Sequence, residues 1–247
     1  MQTFKNLACS SYPSTFRYRE SKICGRLDQN DLPRLLSDFA WADELFNRSQ
    51  AEGRFNVPPG TVRPVMHVAE DGLFVDDLFW GYRSAWAEAS GKAPIASNTR
   101  IEKVLNAYWK PLLKKGRVIV PADGWYEWTG EKPNKQPWHI HRHGHQPLYI
   151  AGLASFDSAH EHKGANGFTL VTADSEGGMI DIHDRRPLVL TAEDALVWLD
   201  PDLPAEEAAH FLRSSALGQE AFDWYMVDRS LGNVRNQGAH LAARLPL

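Results

Sequence analysis

Apolar and polar residues along this chain alternate mostly at strand period, with helix-spaced stretches confined to a few places. From Asp31 to Phe46 the apolar residues Leu32, Leu35, Leu36 and Phe39 recur at helix spacing, with Asp31 placed to cap and Pro33 tolerated in the first turn. Two strand-like runs, Pro64 to Val68 and Leu73 to Trp80, flank Glu70-Asp71-Gly72 and predict a hairpin. Thr99-Arg100-Ile101-Glu102 has capping-box spacing, and Ile101, Val104, Leu105, Tyr108 and Leu112 share one helical face, with Pro111 limiting that helix near Lys110. Strand-like segments follow at Arg117 to Pro121, Trp125 to Thr129, Trp138 to Arg142, Pro147 to Leu153, Phe168 to Thr172 and Pro187 to Leu190. Thr191 to Leu199 and Pro204 to Arg213 read as short helices. Many short strands with few helices between them predict an α+β fold built on antiparallel sheet. No repeat or linker divides the chain after residue 23, so one domain over 24–247 is expected, behind an extension over 1–23 without periodicity.

Composition narrows the class. With 43% hydrophobic and 23% charged residues among 247, disorder, collagen and coiled coil are excluded. No apolar run approaches the roughly 20 residues that cross a bilayer, and residues 1–23 lack the apolar stretch of a signal peptide, so a soluble, cytoplasmic protein is expected. The two cysteines, Cys9 and Cys24, build neither a disulfide framework nor a zinc ribbon. A net charge of −4 gives no global signal for nucleic acid. Locally, Arg100, Lys103, Lys110, Lys114, Lys115 and Arg117 face the single acid Glu102, whereas Glu193 to Glu207 carries six acids and no Lys or Arg. Either the opposite charges occupy separate faces, one of them fit to meet a polyanion, or both runs are solvated helix surface.

Phosphate-loop, dinucleotide and serine-elbow signatures are absent. Candidate chemistry lies in other short segments. Glu127, in Asp123-Gly124-Trp125-Tyr126-Glu127-Trp128, shares a strand face with Trp125. It is either a desolvated carboxyl suited to acid–base work or an edge-strand Glu with its head in water. His183 has Asp181 and Asp184 close by and two arginines after it, a setting that can fix a tautomer or simply satisfy a structural histidine. Cys24 precedes Gly25 and Arg26, whose cation favours thiolate, and with Glu127 and His183 it forms a possible nucleophilic set. Asn98 reads as a cap or as a hydrogen-bond donor at a polar site. Arg26, Arg100, Arg185 and Arg186 recur beside these residues, as a phosphate-rich ligand requires. A rival cluster, His139, His141, His143 and His145, is either a metal-binding strand face or an exposed hairpin tip.

Together with Phe79-Trp80-Gly81-Tyr82, Asp181-Ile182-His183-Asp184-Arg185-Arg186-Pro187 and Gly232-Asn233-Val234-Arg235-Asn236, these segments resemble the SOS-response-associated peptidase family, also described as abasic-site processing or shielding proteins. The resemblance runs from Cys24 to near Leu241. It implies a compact α+β domain with an antiparallel, barrel-like β core, and a monomer that binds single-stranded DNA containing abasic sites without metal or cofactor. Cys24 then matches the nucleophile, and Asn98, Glu127 and His183 the other active-site residues. Arg26, Arg100 and Arg186 are expected on DNA phosphates, and Trp86 stacks near the lesion, with Ala87 where some members carry a second Trp. The implied product is a thiazolidine crosslink through an N-terminal cysteine. In the family that cysteine follows the initiator Met, whereas here Cys24 lies behind 23 residues. A misassigned start, cleavage of the Ile23–Cys24 bond, or loss of the stable crosslink are the competing explanations. Two other functions stay open: a cysteine peptidase acting on peptides and a non-covalent module for damaged DNA.

Overall fold

The computed structural model describes residues 25–39, 45–69, 72–91, 94–157, 159 and 163–246. In chain order its strands are β1 (Leu27–Gln29), β2 (Leu45–Asn47), β3 (Arg54–Val57), β4 (Val62–Ala69), β5 (Gly72–Trp80), β6 (Asn98–Arg100) and β7 (Arg117–Ala122). The second half adds β8 (Gly124–Thr129), β9 (Gln136–Arg142), β10 (Leu148–Phe156), β11 (Asn166–Asp174), β12 (Arg185–Pro187), β13 (Val189–Leu190) and β14 (Phe222–Met226). The α-helices are α1 (Leu32–Leu35), α2 (Ala85–Ser90), α3 (Lys110–Lys115), α4 (Ala192–Leu199) and α5 (Ala205–Ser215). None of the described helices is long and apolar enough to cross a membrane. The chain is α+β, as its alternation predicts.

The strands form two sheets. The smaller runs β14-β9-β8-β1-β3, and the larger β12-β11-β10-β7-β4-β5-β2. A parallel pairing of β11 with β5, Gly167 opposite Phe79, closes β11, β10, β7, β4 and β5 into a ring. This ring is the barrel-like core. Alternation divides its side chains: Val118, Val120, Leu148 and Ile150 join Leu27, Trp125 and Ile140 of the smaller sheet. Ile119, Tyr149 and Ala151 instead meet Leu112, Trp198 and Leu212 of the helices. Burial on both faces is why β7 and β10 read as nearly continuous apolar runs.

Ring closure depends on a missing side chain. A Cβ at Gly167 would lie 2.2 Å from the Gly81 carbonyl oxygen and 2.7 Å from that of Phe79, whereas one at Gly232 meets nothing within 4 Å. Gly167→Ala is therefore expected to cost about 1–3 kcal/mol through backbone displacement, with Gly232→Ala near neutral. Urea denaturation of the two variants checks this.

The predicted hairpin is β4 and β5, paired from Val62 opposite Phe79 to Ala69 opposite Gly72; residues 70 and 71 of its turn lie outside the described residues. Helices α4 and α5 also fall where expected, with the Thr191 hydroxyl accepting from the Asp194 amide. Two helix predictions are corrected. The first helix is only α1, capped by Asp31 accepting from the Arg34 amide, then a 3₁₀ turn over Ser37–Phe39, while Phe46 lies in β2. Likewise Thr99 and Arg100 belong to β6, which pairs in parallel with β11, so their backbone groups are engaged in sheet rather than helix. Pro111 opens α3 instead of ending a helix, because a first-turn residue needs no amide hydrogen.

Of the two readings of the charge runs, fully separate faces is not the one realised. Lys110 Nζ lies 2.6 Å from Glu206 Oε1, so the basic and acidic runs meet where α3 packs on α5. Arg117 is buried, donating to the carbonyls of Trp198 and Leu113 at 2.7 Å each and to that of Asp200. It fastens β7 to α4 and is no part of an exposed basic face.

Candidate functional site

The site is built on β8. Because β1 and β9 flank this strand on either side, Glu127 is not an edge residue and its exposure is only 2%. The desolvated alternative is the one realised. Across from it, His183 follows a 3₁₀ turn over Gly177–Asp181, its amide donating to the Met179 carbonyl at 3.1 Å. His183 Nε2 lies 3.9 Å from Glu127 Oε2. The Arg185 amide lies 3.1 Å from His183 Nδ1, so that nitrogen sits between an amide donor and the Asp184 carboxylate while Nε2 faces Glu127. Burial holds the imidazole below its ordinary value, opposed chiefly by Asp184, whose carboxylate lies 3.0 Å from Nδ1. A buried carboxyl and an imidazole this close can exchange a proton.

The first described residues run beside this pair. Leu27 stands opposite Trp125, and the Tyr126 amide donates to the Arg26 carbonyl at 3.1 Å. Cys24, which precedes Gly25 by one peptide bond, lies outside the described residues, as does the whole extension over 1–23. Arg26 Nε donates to Asn56 Oδ1 at 2.9 Å, and its guanidinium lies over the Trp128 ring at 5.7 Å. Burial lowers the Arg26 pKa.

Asn56 lies in the dense segment Arg54-Phe55-Asn56-Val57-Pro58-Pro59-Gly60-Thr61, which by itself gives it no role, yet it is a hub. Its Nδ2 lies within hydrogen-bond distance of the carbonyls of Leu231, Asn233 and Asn236, at 3.0, 3.0 and 3.3 Å. Gln237 completes the join, accepting from the Phe55 amide and donating to the Asn56 carbonyl. Thus three separated segments, around Arg26, Asn56 and Asn236, are one hydrogen-bonded unit. The only sequence signal was the density of Asn, Gly and Arg in each.

The remaining predicted residues occupy three places. Asn98 and Arg100 lie on β6, opposite Leu170 and Thr172 of β11, and Arg186 on β12 opposite Ala173 of the same strand. Arg186 is buried, and its Nη1 donates to the Leu217 carbonyl at 2.7 Å. Burial lowers its pKa, with Glu176 and Glu220 opposing. Its neighbour Arg185 is a clamp, bridging Glu102 at 3.1 and 3.2 Å, Asp174, and the Thr172 carbonyl at 2.9 Å. Trp86 projects from α2 with 74% of its surface exposed, whereas Ala87 beside it is fully buried. The histidine run divides. His139 and His141 stack on one face of β9 at 5.5 Å and His145 lies 4.1 Å from His141, but His143 turns away to Asp223 and the Glu220 carbonyl. No metal-binding group of three is formed among the described residues.

Fold and site together define a ring-closed α+β protein with a buried carboxyl facing an imidazole beside its first strand. The family model of the SOS response associated peptidase (SRAP) matches residues 23–234, and the chain belongs to that family. It is 38% identical over 226 residues to the abasic site processing protein YedK of Escherichia coli K12, covering 89% of this chain and 98% of that protein. Against the abasic site processing protein HMCES of Gallus gallus identity is 29%, covering 87% and 75%. Among solved structures, a phage-related protein of Bordetella bronchiseptica superposes with a TM-score of 0.70 at 38% identity, over 83% of this chain and 95% of that one.

Proposed function

We propose that the protein processes abasic sites in single-stranded DNA by capturing the sugar aldehyde on Cys24. The observation that carries this reading is the antiparallel register of β1 on β8, which, traced back from Leu27 opposite Trp125 to Arg26 beside Tyr126, leads toward the Glu127–His183 pair. Family membership and the names of the relatives support it.

An abasic deoxyribose is mostly a closed hemiacetal, so an acid or base must open it before any aldehyde is available. Glu127 and His183 serve that step. An N-terminal cysteine then condenses through its amine, giving an imine and one water. The sulfur adds to the imine carbon, the nitrogen takes the thiol proton, and a five-membered thiazolidine closes. Reference pKa values of about 8 for the amine and 8.5 for the thiol leave reactive forms of both near neutrality. Trp86 offers an exposed ring to an unpaired base, and Arg26, Arg100 and Arg186, together with Asn98, hold the strand. Residues 24–247 are the working domain. Hydrolysis of the Ile23–Cys24 bond within the same chain, assisted by Glu127 or His183 and consuming one water, releases residues 1–23 with a carboxylate on Ile23 and supplies the free amine of Cys24.

Incubation of purified protein with single-stranded DNA bearing one abasic site tests the reading on a denaturing gel. A stable adduct is expected. Retention without an adduct would leave a binding module, and turnover of peptides in trans would leave a peptidase.

The lowered pKa of His183 gives a signed pH prediction. The ratio of wild-type to His183→Gln crosslinking rates divides out the amine and thiol titrations. It should fall as pH drops, at a lower pH than protonation of an ordinary imidazole would set. Stability follows the same direction: the unfolded chain takes the proton first, so the contribution of His183 is present above 6.5 and lost as pH falls through the folded value. Rate–pH profiles and denaturation at matched pH check both.

A further inference from the structure

Crosslinking chemistry leaves the buried histidines of β9 without a task. In the smaller sheet β8 separates β1 from β9, so these two strands share no ladder. Even so, Asp28 Oδ2 on β1 lies 3.2 Å from His139 Nε2 on β9, with both side chains almost fully buried. Gly124 permits the crossing. It stands opposite Asp28 on β8, and a Cβ there would lie 2.3 Å from His139 Nε2.

The hydrogen-bond partners show what the pair holds. Tyr225 Oη donates to the Ala242 carbonyl at 2.9 Å, so at 3.2 Å it accepts from His139 Nδ1. Nδ1 therefore carries a proton, and Nε2 faces the Asp28 carboxylate as a close contact between buried polar groups. The other carboxylate oxygen accepts from Asn30 Nδ2 at 2.7 Å. The ring is also flanked by Tyr126 at 4.9 Å, the residue just before Glu127. The hold of β1 on β8 itself is short, two register pairs, while its other edge pairs with β3 and not with the strand that carries Glu127.

We infer that Asp28 and His139 strap β1 to β9 across β8, fixing Gly25 and Arg26 relative to Glu127, and so act as positioning residues for the reaction at Cys24. This role in the reaction rests on the proposed function, whereas the strap itself does not.

Asp28→Ala alone leaves the buried His139 Nε2 without the polar group it faces and threatens folding. The double variant Asp28→Ala/His139→Phe removes donor and acceptor together and keeps the ring packing. In this variant of the full chain, the Tyr126 amide, which donates to the Arg26 carbonyl, is expected to exchange with deuterium on the order of tenfold faster or more, while β4 and β5 keep wild-type protection. Single-turnover crosslinking at saturating protein is expected to slow on the order of tenfold or more, since small misplacement of reacting groups is costly. His139→Gln, which keeps a donor in reach of Asp28, should restore both readouts. Unchanged Tyr126 exchange in the double variant overturns the strap. Faster exchange with an unchanged crosslinking rate overturns the positioning role, as does His139→Gln behaving like the double variant. Wild-type protein that forms no crosslink sinks the proposed function alone, and the exchange result still decides the strap.

Discussion

Cys24→Ala is expected to abolish the stable adduct with abasic single-stranded DNA while leaving non-covalent binding intact. The reason is in the bond count. Sulfur addition converts a hydrolysable imine into a ring, and without sulfur the product stops at the imine, which water reverses. If the bond before residue 24 is still cleaved in the variant, the imine can be trapped by borohydride; if it is not, borohydride traps nothing there. Gel analysis with and without the reductant therefore reports on sulfur and amine separately. A borohydride-independent adduct in Cys24→Ala would assign the chemistry to another residue.

Glu127→Gln should lower the single-turnover rate by about 10²–10⁴-fold, the span typical for removing a general acid or base. Gln keeps the shape and hydrogen-bonding capacity of the side chain, so folding and DNA affinity should change little. Loss of a proton-exchanging group 3.9 Å from His183 Nε2 is then the principal difference. Crosslinking kinetics measured beside fluorescence anisotropy of bound DNA separate the two effects. A wild-type rate in this variant would remove Glu127 from the chemistry.

How much of this was legible in the sequence depended on range. Strands β7 and β10 announced themselves because ring and helices bury both of their faces. The β4–β5 hairpin and the two late helices rest on local signals, and local signals suffice for them. Short strands such as β1, β3 and β6 did not show, since three or four residues carry no period and their partners lie far along the chain. The burial of Glu127 was undecidable for the same reason: β1, nearly a hundred residues earlier, is what makes β8 an inner strand. Charge runs misled because Lys110 and Glu206 are neighbours only after α3 packs on α5. Asn56, Gly124 and His139 stood in view as letters, but their common logic, side chains crossing between strands, exists only in the folded sheets.

Intact-mass analysis of the product formed with a single-stranded oligonucleotide bearing one abasic site tests the central claim most directly. The account predicts a species whose polypeptide begins at Cys24 and whose mass is that of protein plus oligonucleotide less one water. A polypeptide that begins at Cys24 and leaves the aldehyde-bearing strand unmodified would contradict it.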